Sequence, residues 1–298
     1  TGNNMSKFDS KYIDDVISGD RVKLSKLLTA VENGLKIDLM DKFETDIVTN
    51  KWGITGPPGA GKSTLVGKIV EDHLARNIKI AVLAVDPSSP LTGGALLGDR
   101  LRLTNADDHE FVYFRSVSTR GNSNAIPSRI GAMIEVLVLA GFESIIIETV
   151  GSGQAEVQIA AVADRIILVE SPVTGDIIQA EKAGIIEISD IIVVNKSDLE
   201  GADQKLSQIR SSLEFGSGHV PPILLISAIT GEGISELISI MDITKPSSKS
   251  VRARWVARLS AEWQSILILN NKYEIVVDGL CKGELDIEEA MKLLSGEM

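Results

Sequence analysis

The sequence predicts an α/β fold in which a mostly parallel central sheet is flanked by helices, with helical extensions at both ends of the chain. Three observations predict it. Short β-rich runs alternate with amphipathic stretches from Lys51 onward, the signature of βα units around a parallel sheet. A glycine-rich loop joins the first run, ending at Thr55, to a helix opening at Lys62. Apolar stripes at helical spacing stand before the first run and after the last.

Residues 1–46 read as an N-terminal helical extension. Ile13, Val16, Val22, Leu24, Leu27, Leu28 and Val31 recur at helical spacing, and Ser18-Gly19-Asp20 supplies a break and a cap. Residues 47–243 carry the alternating pattern. Strands are expected at Trp52–Thr55, Ile78–Val85, Phe111–Phe114, Ser144–Ile147, Arg165–Val169, Ile191–Val194 and Ile223–Ile226. Helices are expected to start near Lys62, Ala125, Gln154, Asp176, Asp203 and Gly233. Residues 244–298 form a C-terminal helical module. After the polar break Pro246-Ser247-Ser248-Lys249-Ser250, another stripe runs through Val251, Trp255, Val256, Leu259, Trp263, Ile266 and Leu267. That stripe fits a dimer or partner surface and a helix packed on its own domain equally, since interior and interface stripes share one spacing.

A chain of 298 residues has room for about two domains and a sizeable core. Lys and Arg number 30 against 41 Asp and Glu, a net charge of -11. That charge repels phosphate backbones and anionic membranes, so nucleic-acid and membrane binding are not expected and any phosphate site must be local. Three Tyr and three Trp offer no platform for stacking bases. The single Cys281 makes no internal disulfide, and His73, His109 and His219 lie too far apart for ligand spacing. No apolar run is long enough to span a membrane and no signal leader is visible, so a cytoplasmic location is expected.

Gly56-Pro57-Pro58-Gly59-Ala60-Gly61-Lys62-Ser63-Thr64 matches G-x-x-x-x-G-K-[ST] between a strand and a helix, the context that motif requires. This identifies a P-loop NTPase. The glycines let backbone N–H groups close around phosphate oxygens, and the helix N-terminus adds positive potential. Lys62 is expected to reach the β and γ phosphates, and Ser63 to supply a ligand to Mg²⁺.

Ligands in open α/β sheets sit beyond the carboxyl ends of the strands. Asp86, Glu148, Asn195 and Ser227 each end a predicted strand, and so are expected to converge on one crevice. Base choice follows from Asn195-Lys196-Ser197-Asp198, an N-K-x-D arrangement. The Asp198 carboxylate offers two acceptors to guanine N1–H and N2–H₂, which adenine cannot match. Lys196 can lie over the ring plane, while the Ser227-Ala228-Ile229 stretch can offer backbone N–H to guanine O6. GTP and GDP are therefore expected in preference to ATP. Two segments, Asp86 to Arg100 and Glu148 to Gln154, combine glycines with carboxylates as γ-phosphate-sensing switches must.

With V-D-P-S-S-x-x-T-G-G-x-x-L-G-D at Val85 to Asp99 and E-T-V-G-x-G-Q at Glu148 to Gln154, the chain resembles the MeaB-type GTPases over most of its length. These are called MMAA in animals and were once labelled ArgK or LAO/AO transport kinases. The resemblance implies a chaperone for an adenosylcobalamin-dependent acyl-CoA mutase, typically methylmalonyl-CoA mutase, which gates cofactor loading and protects the mutase from inactivation. It also implies a homodimer through the C-terminal helices. Asp86, Asp99 and Glu148 are then the Mg²⁺- and water-organising carboxylates, and Lys62, Asp99 and Glu148 the catalytic set. Gln154, Asp176 and Lys182 become switch and partner-coupling residues. Two stretches depart from the family pattern: Ser171-Pro172-Val173-Thr174-Gly175-Asp176 in place of P-G-x-G-D, and Arg120-Gly121-Asn122-Ser123-Asn124-Ala125 in place of R-G-x-L-G-G.

The expected chemistry is in-line attack of water on the γ-phosphate, slow without a partner because no arginine finger stands out in the chain, though a switch movement can deliver Arg120 or Lys182. A phosphotransferase is the rival among enzymes, but the chain has no H-R-D catalytic loop. A nickel-delivery GTPase lacks its His/Cys cluster here. A nucleotide-switched binding module for another metalloenzyme is the rival outside catalysis.

Overall fold

The computed structural model describes residues 8–35, 49–86, 109–118, 130–149, 159–174, 180–214, 220–246, 248–268 and 270–295. Seven parallel strands make one sheet: β1 (Asn50–Thr55), β2 (Ile80–Asp86), β3 (Val112–Ser118), β4 (Ser144–Thr149), β5 (Arg165–Glu170), β6 (Ile191–Val194) and β7 (Ile223–Leu225). Their order is β3-β2-β4-β1-β5-β6-β7, so β1 lies at the centre with β4 and β5 on either side. Each strand stands on an apolar run expected to be one. Such runs are legible because a parallel sheet buries both of its faces.

The two faces alternate along every strand. Ala81, Leu83, Ile145, Ile147, Ile166, Leu168, Ile192 and Val194 face one core; Ile80, Val82, Ile146, Ile167, Val169, Ile191 and Val193 face the other. The first core is covered by α1 (Ser10–Ile17), α2 (Arg21–Glu32), α4 (Ile130–Leu139), α5 (Ala180–Ile188) and α6 (Ala202–Glu214). The second is covered by α3 (Lys62–Ala75) and α7 (Ile234–Ile243). Gly53 sits mid-strand because a Cβ there would come within 2.6 Å of Ile159, in the 3-10 turn Ile159–Ala161.

The N-terminal helices form where their caps fall. Asp9 accepts from Tyr12 N–H and Asp20 from Lys23 N–H, satisfying donors that the first turn leaves free. Leu27 and Leu28 are wholly buried in the sheet's own core. The pair also covers the edge strand: Arg21 donates to His109 O and Val112 O, both at 2.6 Å, while Arg115 of β3 binds Glu32 at 2.5 Å. Carbonyls that would otherwise recruit another strand are thereby occupied.

Beyond α7, Arg165 donates to Thr244 O at 2.9 Å and lies over the Trp52 ring, 4.6 Å from its centroid. The C-terminal module follows as α8 (Ser248–Ile268), α9 (Tyr273–Lys282) and α10 (Ile287–Ser295). Helix α8 opens inside the expected polar break, since only Pro246 is incompatible with continuing it. A buried ion pair, Arg254 Nη1 to Asp190 Oδ2 at 3.0 Å, pins α8 to the sheet, and Asp190 also accepts Ile166 N–H at 2.9 Å. Val276, Ala290 and Leu294 make a small separate core between α9 and α10. Among the described residues no helix is long and apolar enough to cross a membrane.

Three predicted helix starts meet the limits of the description. Helix α4 begins at Ile130 and α5 at Ala180, with residues 119–129 and 175–179 outside the described residues. Where a helix was expected from Gln154, the described part is the short 3-10 turn.

Candidate functional site

The crevice lies at the carboxyl ends of β1, β4, β5 and β6. From β1 the chain turns through Pro57-Pro58-Gly59-Ala60, with Ala60 N–H donating to Pro57 O at 3.3 Å and Gly59 at φ 77°. That is the type II pattern of proline then glycine at the two central positions. Gly56 adopts φ 142°, and a Cβ there would lie 2.0 Å from Val169 O, so only glycine lets the loop leave the sheet against β5. Gly61 caps α3 at φ 92° with no side-chain cap, and a Cβ there would lie 2.3 Å from Asn195 Nδ2. The first N–H groups of α3 therefore point into the loop with the helix dipole behind them, which suits an anion.

Lys62 is buried, and its Nζ donates to Gly56 O at 2.7 Å and Pro57 O at 3.0 Å, closing the loop across its own mouth. Ser63 Oγ donates to Glu148 Oε1 at 2.6 Å. Glu148 is 7% exposed at the end of β4, and its neighbour Thr149 donates to Thr55 Oγ1 at 3.0 Å. A hydroxyl and a buried carboxylate at the P-loop mouth are hard oxygen donors of the kind Mg²⁺ takes, together with phosphate oxygens and water. Among the described residues no group of three or more His, Cys, Asp or Glu forms a cage.

The base-side loops are held by one amide. Asn195 Nδ2 donates to Ala60 O at 2.9 Å, and its Oδ1 accepts Ala228 N–H at 3.0 Å. Lys196 occupies the left-handed region at φ 64°, fixed by Ser197 N–H to Ile226 O and Leu199 N–H to Lys196 O. Its side chain passes 4.0 Å from where a Cβ on Gly61 would stand. Asp198 is exposed. Ser227 N–H donates to Glu232 O and Ala228 N–H to Asn195, so the N–H left for a base carbonyl is that of Ile229, which makes no hydrogen bond among the described residues. Of the three expected donors, Ser227 and Ala228 spend their N–H groups on the loop's own closure, which leaves Ile229.

The structure brings together the P-loop, Glu148, Asn195 and the 227–229 turn. Asp99, Gln154 and Asp176 lie outside the described residues, as do the side chains of Asp86 and Lys182. Sequence reasoning missed the buried pair Glu170 and Lys205, 3.6 Å apart at the end of β5. A glutamate closing an apolar strand was the available signal; the lysine, on an ordinary-looking amphipathic helix, carried none.

A family model described as methylmalonyl Co-A mutase-associated GTPase MeaB matches residues 24–271. The Pyrococcus horikoshii protein PH0274 is 41% identical over 236 residues, covering 76% of this chain and 74% of its own. GTPase ArgK of Escherichia coli is 32% identical over 263 residues, covering 82% and 79%. A LAO/AO transport system kinase superposes over 96% of both chains with a TM-score of 0.63 at 23% identity, a likeness of fold. The glycine-built phosphate loop and this extent of likeness agree, and the chain belongs to the MeaB family of P-loop GTPases.

Proposed function

We propose that this GTPase is a chaperone for an adenosylcobalamin-dependent acyl-CoA mutase of the methylmalonyl-CoA mutase kind, gating cobalamin loading and protecting the mutase from inactivation. The observation that carries the reading is the match to a family described as mutase-associated across residues 24–271, which takes in the nucleotide site and α8 together. A methylmalonic aciduria type A homolog of Caenorhabditis elegans, 33% identical over 254 residues, supports it.

In this reading the P-loop N–H groups and Lys62 hold the phosphates, with the lysine exchanging its contacts at Gly56 and Pro57 for phosphate oxygens. Asp198 accepts from guanine and Ile229 N–H donates to O6, while Asn195 keeps the two loops in register. Ser63 and Glu148 would hold Mg²⁺, joined by Asp86 and Asp99 as the resemblance implies. Bound there, Mg²⁺ supplies positive charge against the developing charge on the β and γ oxygens. Glu148, buried and bonded to Ser63, orients the attacking water, with Asp99 beside it in the catalytic set. Gln154, Asp176 and Lys182 couple this site to the partner, and two chains pair through the C-terminal helices.

GTP hydrolysis is measured with and without an adenosylcobalamin mutase from the same source, alongside co-purification in each nucleotide state. Nucleotide-dependent association with faster phosphate release is the expected result. GTP turnover with no association in any state overturns the client assignment and leaves the GTPase intact.

A further inference from the structure

The end of β5 carries a charge pair outside the residues read as nucleotide-binding. Glu170 and Lys205 are 1% and 4% exposed. Burying both charges costs desolvation that their attraction barely repays, and apolar residues would fill the space as well. What the pair does is fasten a turn. Thr174 Oγ1 lies 2.7 Å from Ser171 O and 3.0 Å from Glu170 Oε2, two acceptors for its one proton, and accepts Ser171 N–H at 3.2 Å, while Lys205 Nζ donates to Thr174 O at 3.0 Å. The turn Ser171-Pro172-Val173-Thr174 is thus held to α6 by a lysine buried beneath it.

Helix α6 is the direct continuation of the guanine loop. Asn195 N–H donates to Glu170 O at 2.8 Å, Leu199 N–H to Lys196 O, and Lys205 N–H to Gly201 O at 3.0 Å. Pro172 stands 3.6 Å from where a Cβ on Gly201 would lie, so the turn and the loop's exit are also in contact. The 171–174 turn and the first turn of α6 share the buried Glu170–Lys205 pair, and backbone hydrogen bonds at Asn195 and Gly201 tie both to the guanine loop. In a low-dielectric interior, separating the members of the pair costs more than moving them together.

We infer that Lys205 is a positioning residue that carries the state of the guanine loop, residues 195–201, into the Ser171–Thr174 turn. The inference rests on the guanine reading of that loop. It makes the turn respond to the base of the nucleotide and not only to its phosphates. The segment that begins where the turn ends carries Asp176, two residues further along the chain.

Hydrogen exchange of the full chain with GDP, with inorganic pyrophosphate, and with neither tests this, because pyrophosphate occupies the P-loop without a base. GDP, unlike pyrophosphate, is expected to slow exchange about tenfold both in peptides covering 195–201 and in those covering 170–174. In Lys205→Met the slowing at 195–201 remains, GDP affinity stays within about threefold, and the slowing at 170–174 is lost. Should that single variant fail to fold, the double variant Glu170→Gln/Lys205→Met removes both charges and carries the same expectation. A merely structural lysine would lower thermal stability and leave the 170–174 response intact. Persistence of that response in a folded variant overturns the inference, as does its absence in the wild type when 195–201 is protected. Absence of protection at 195–201 overturns the guanine reading itself.

Discussion

Asn195 and Asp198 stand three residues apart in one motif and answer to opposite constraints. Asn195 is buried, and both ends of its amide are used. Asn195→Ala strands Ala60 O and Ala228 N–H in the interior, at about 1–3 kcal/mol for each unsatisfied group. Thermal melts and GDP titration should therefore both deteriorate. Asp198 is exposed, so Asp198→Asn should leave the melting temperature unchanged. Its effect falls on the base: an amide N–H₂ replaces an acceptor, guanine N2–H₂ loses its partner, and the 2-carbonyl of xanthine gains one. Steady-state kinetics with GTP and XTP should show preference swinging toward XTP by about 100-fold or more. Unchanged preference would remove Asp198 from the base site. Both residues were legible because N-K-x-D follows a strand and a P-loop. Glu170 and Lys205 were not, since a pairing across 35 positions of sequence leaves no local spacing to read.

Elements were legible wherever one physical requirement dominated. The strands had to be apolar on both faces, and α3 had to follow a glycine loop. The N-terminal helices were read as an extension, but the structure sets Leu27 and Leu28 in the sheet's core, because the edge strand β3 needs cover and α2 supplies it through Arg21. Leu27→Ala should then cost about 2–5 kcal/mol of global stability in denaturant melts, with one cooperative transition retained. Helix α3 carries a second consequence. Burial pushes the His73 imidazole below its ordinary value of 6.5, with Ile69 O, Asp72 and Asp242 opposing and Arg76 assisting. The unfolded chain therefore binds the proton more readily than the folded one. The contribution of neutral His73 is complete above about pH 6.5 and is lost as pH falls below that toward the depressed folded value. Melting temperatures followed from pH 7 down to 5 should fall less steeply in His73→Leu than in the wild type; equal slopes would discharge His73 from that role.

At the scale of the molecule, α8 presents two unlike faces, and their contrast decides how the C-terminal module works. One face is anchored: Arg254 is buried against Asp190, so Arg254→Met removes the guanidinium paired with a buried carboxylate and should cost about 3–5 kcal/mol. The other face sets Trp255, Val256, Leu259 and Trp263 in solvent, exposed by 58%, 56%, 69% and 44%. Of the sequence stripe that fitted a packed helix and an interface equally, Val251, Trp255, Val256, Leu259 and Trp263 stand exposed and Leu267 packs on the small C-terminal core, while Ala253 and Ala257, outside the stripe, pack on the sheet's core. Large apolar side chains exposed at this spacing suit a contact surface, and the proposed dimer is what would cover them. Leu259→Glu keeps a good helix former and touches nothing in the core, so the melting temperature of a single chain should move by less than about 0.5 kcal/mol equivalent. Light scattering should give twice the chain mass for the wild type and the chain mass for Leu259→Glu. GTP turnover per chain, measured without a partner, should stay the same in both, since the P-loop and guanine loop lie at the strand ends and, among the described residues, take no side chain from this face of α8. A variant that remains dimeric would move the pairing surface elsewhere, and one that loses turnover along with its dimer would mean that the second chain completes the site.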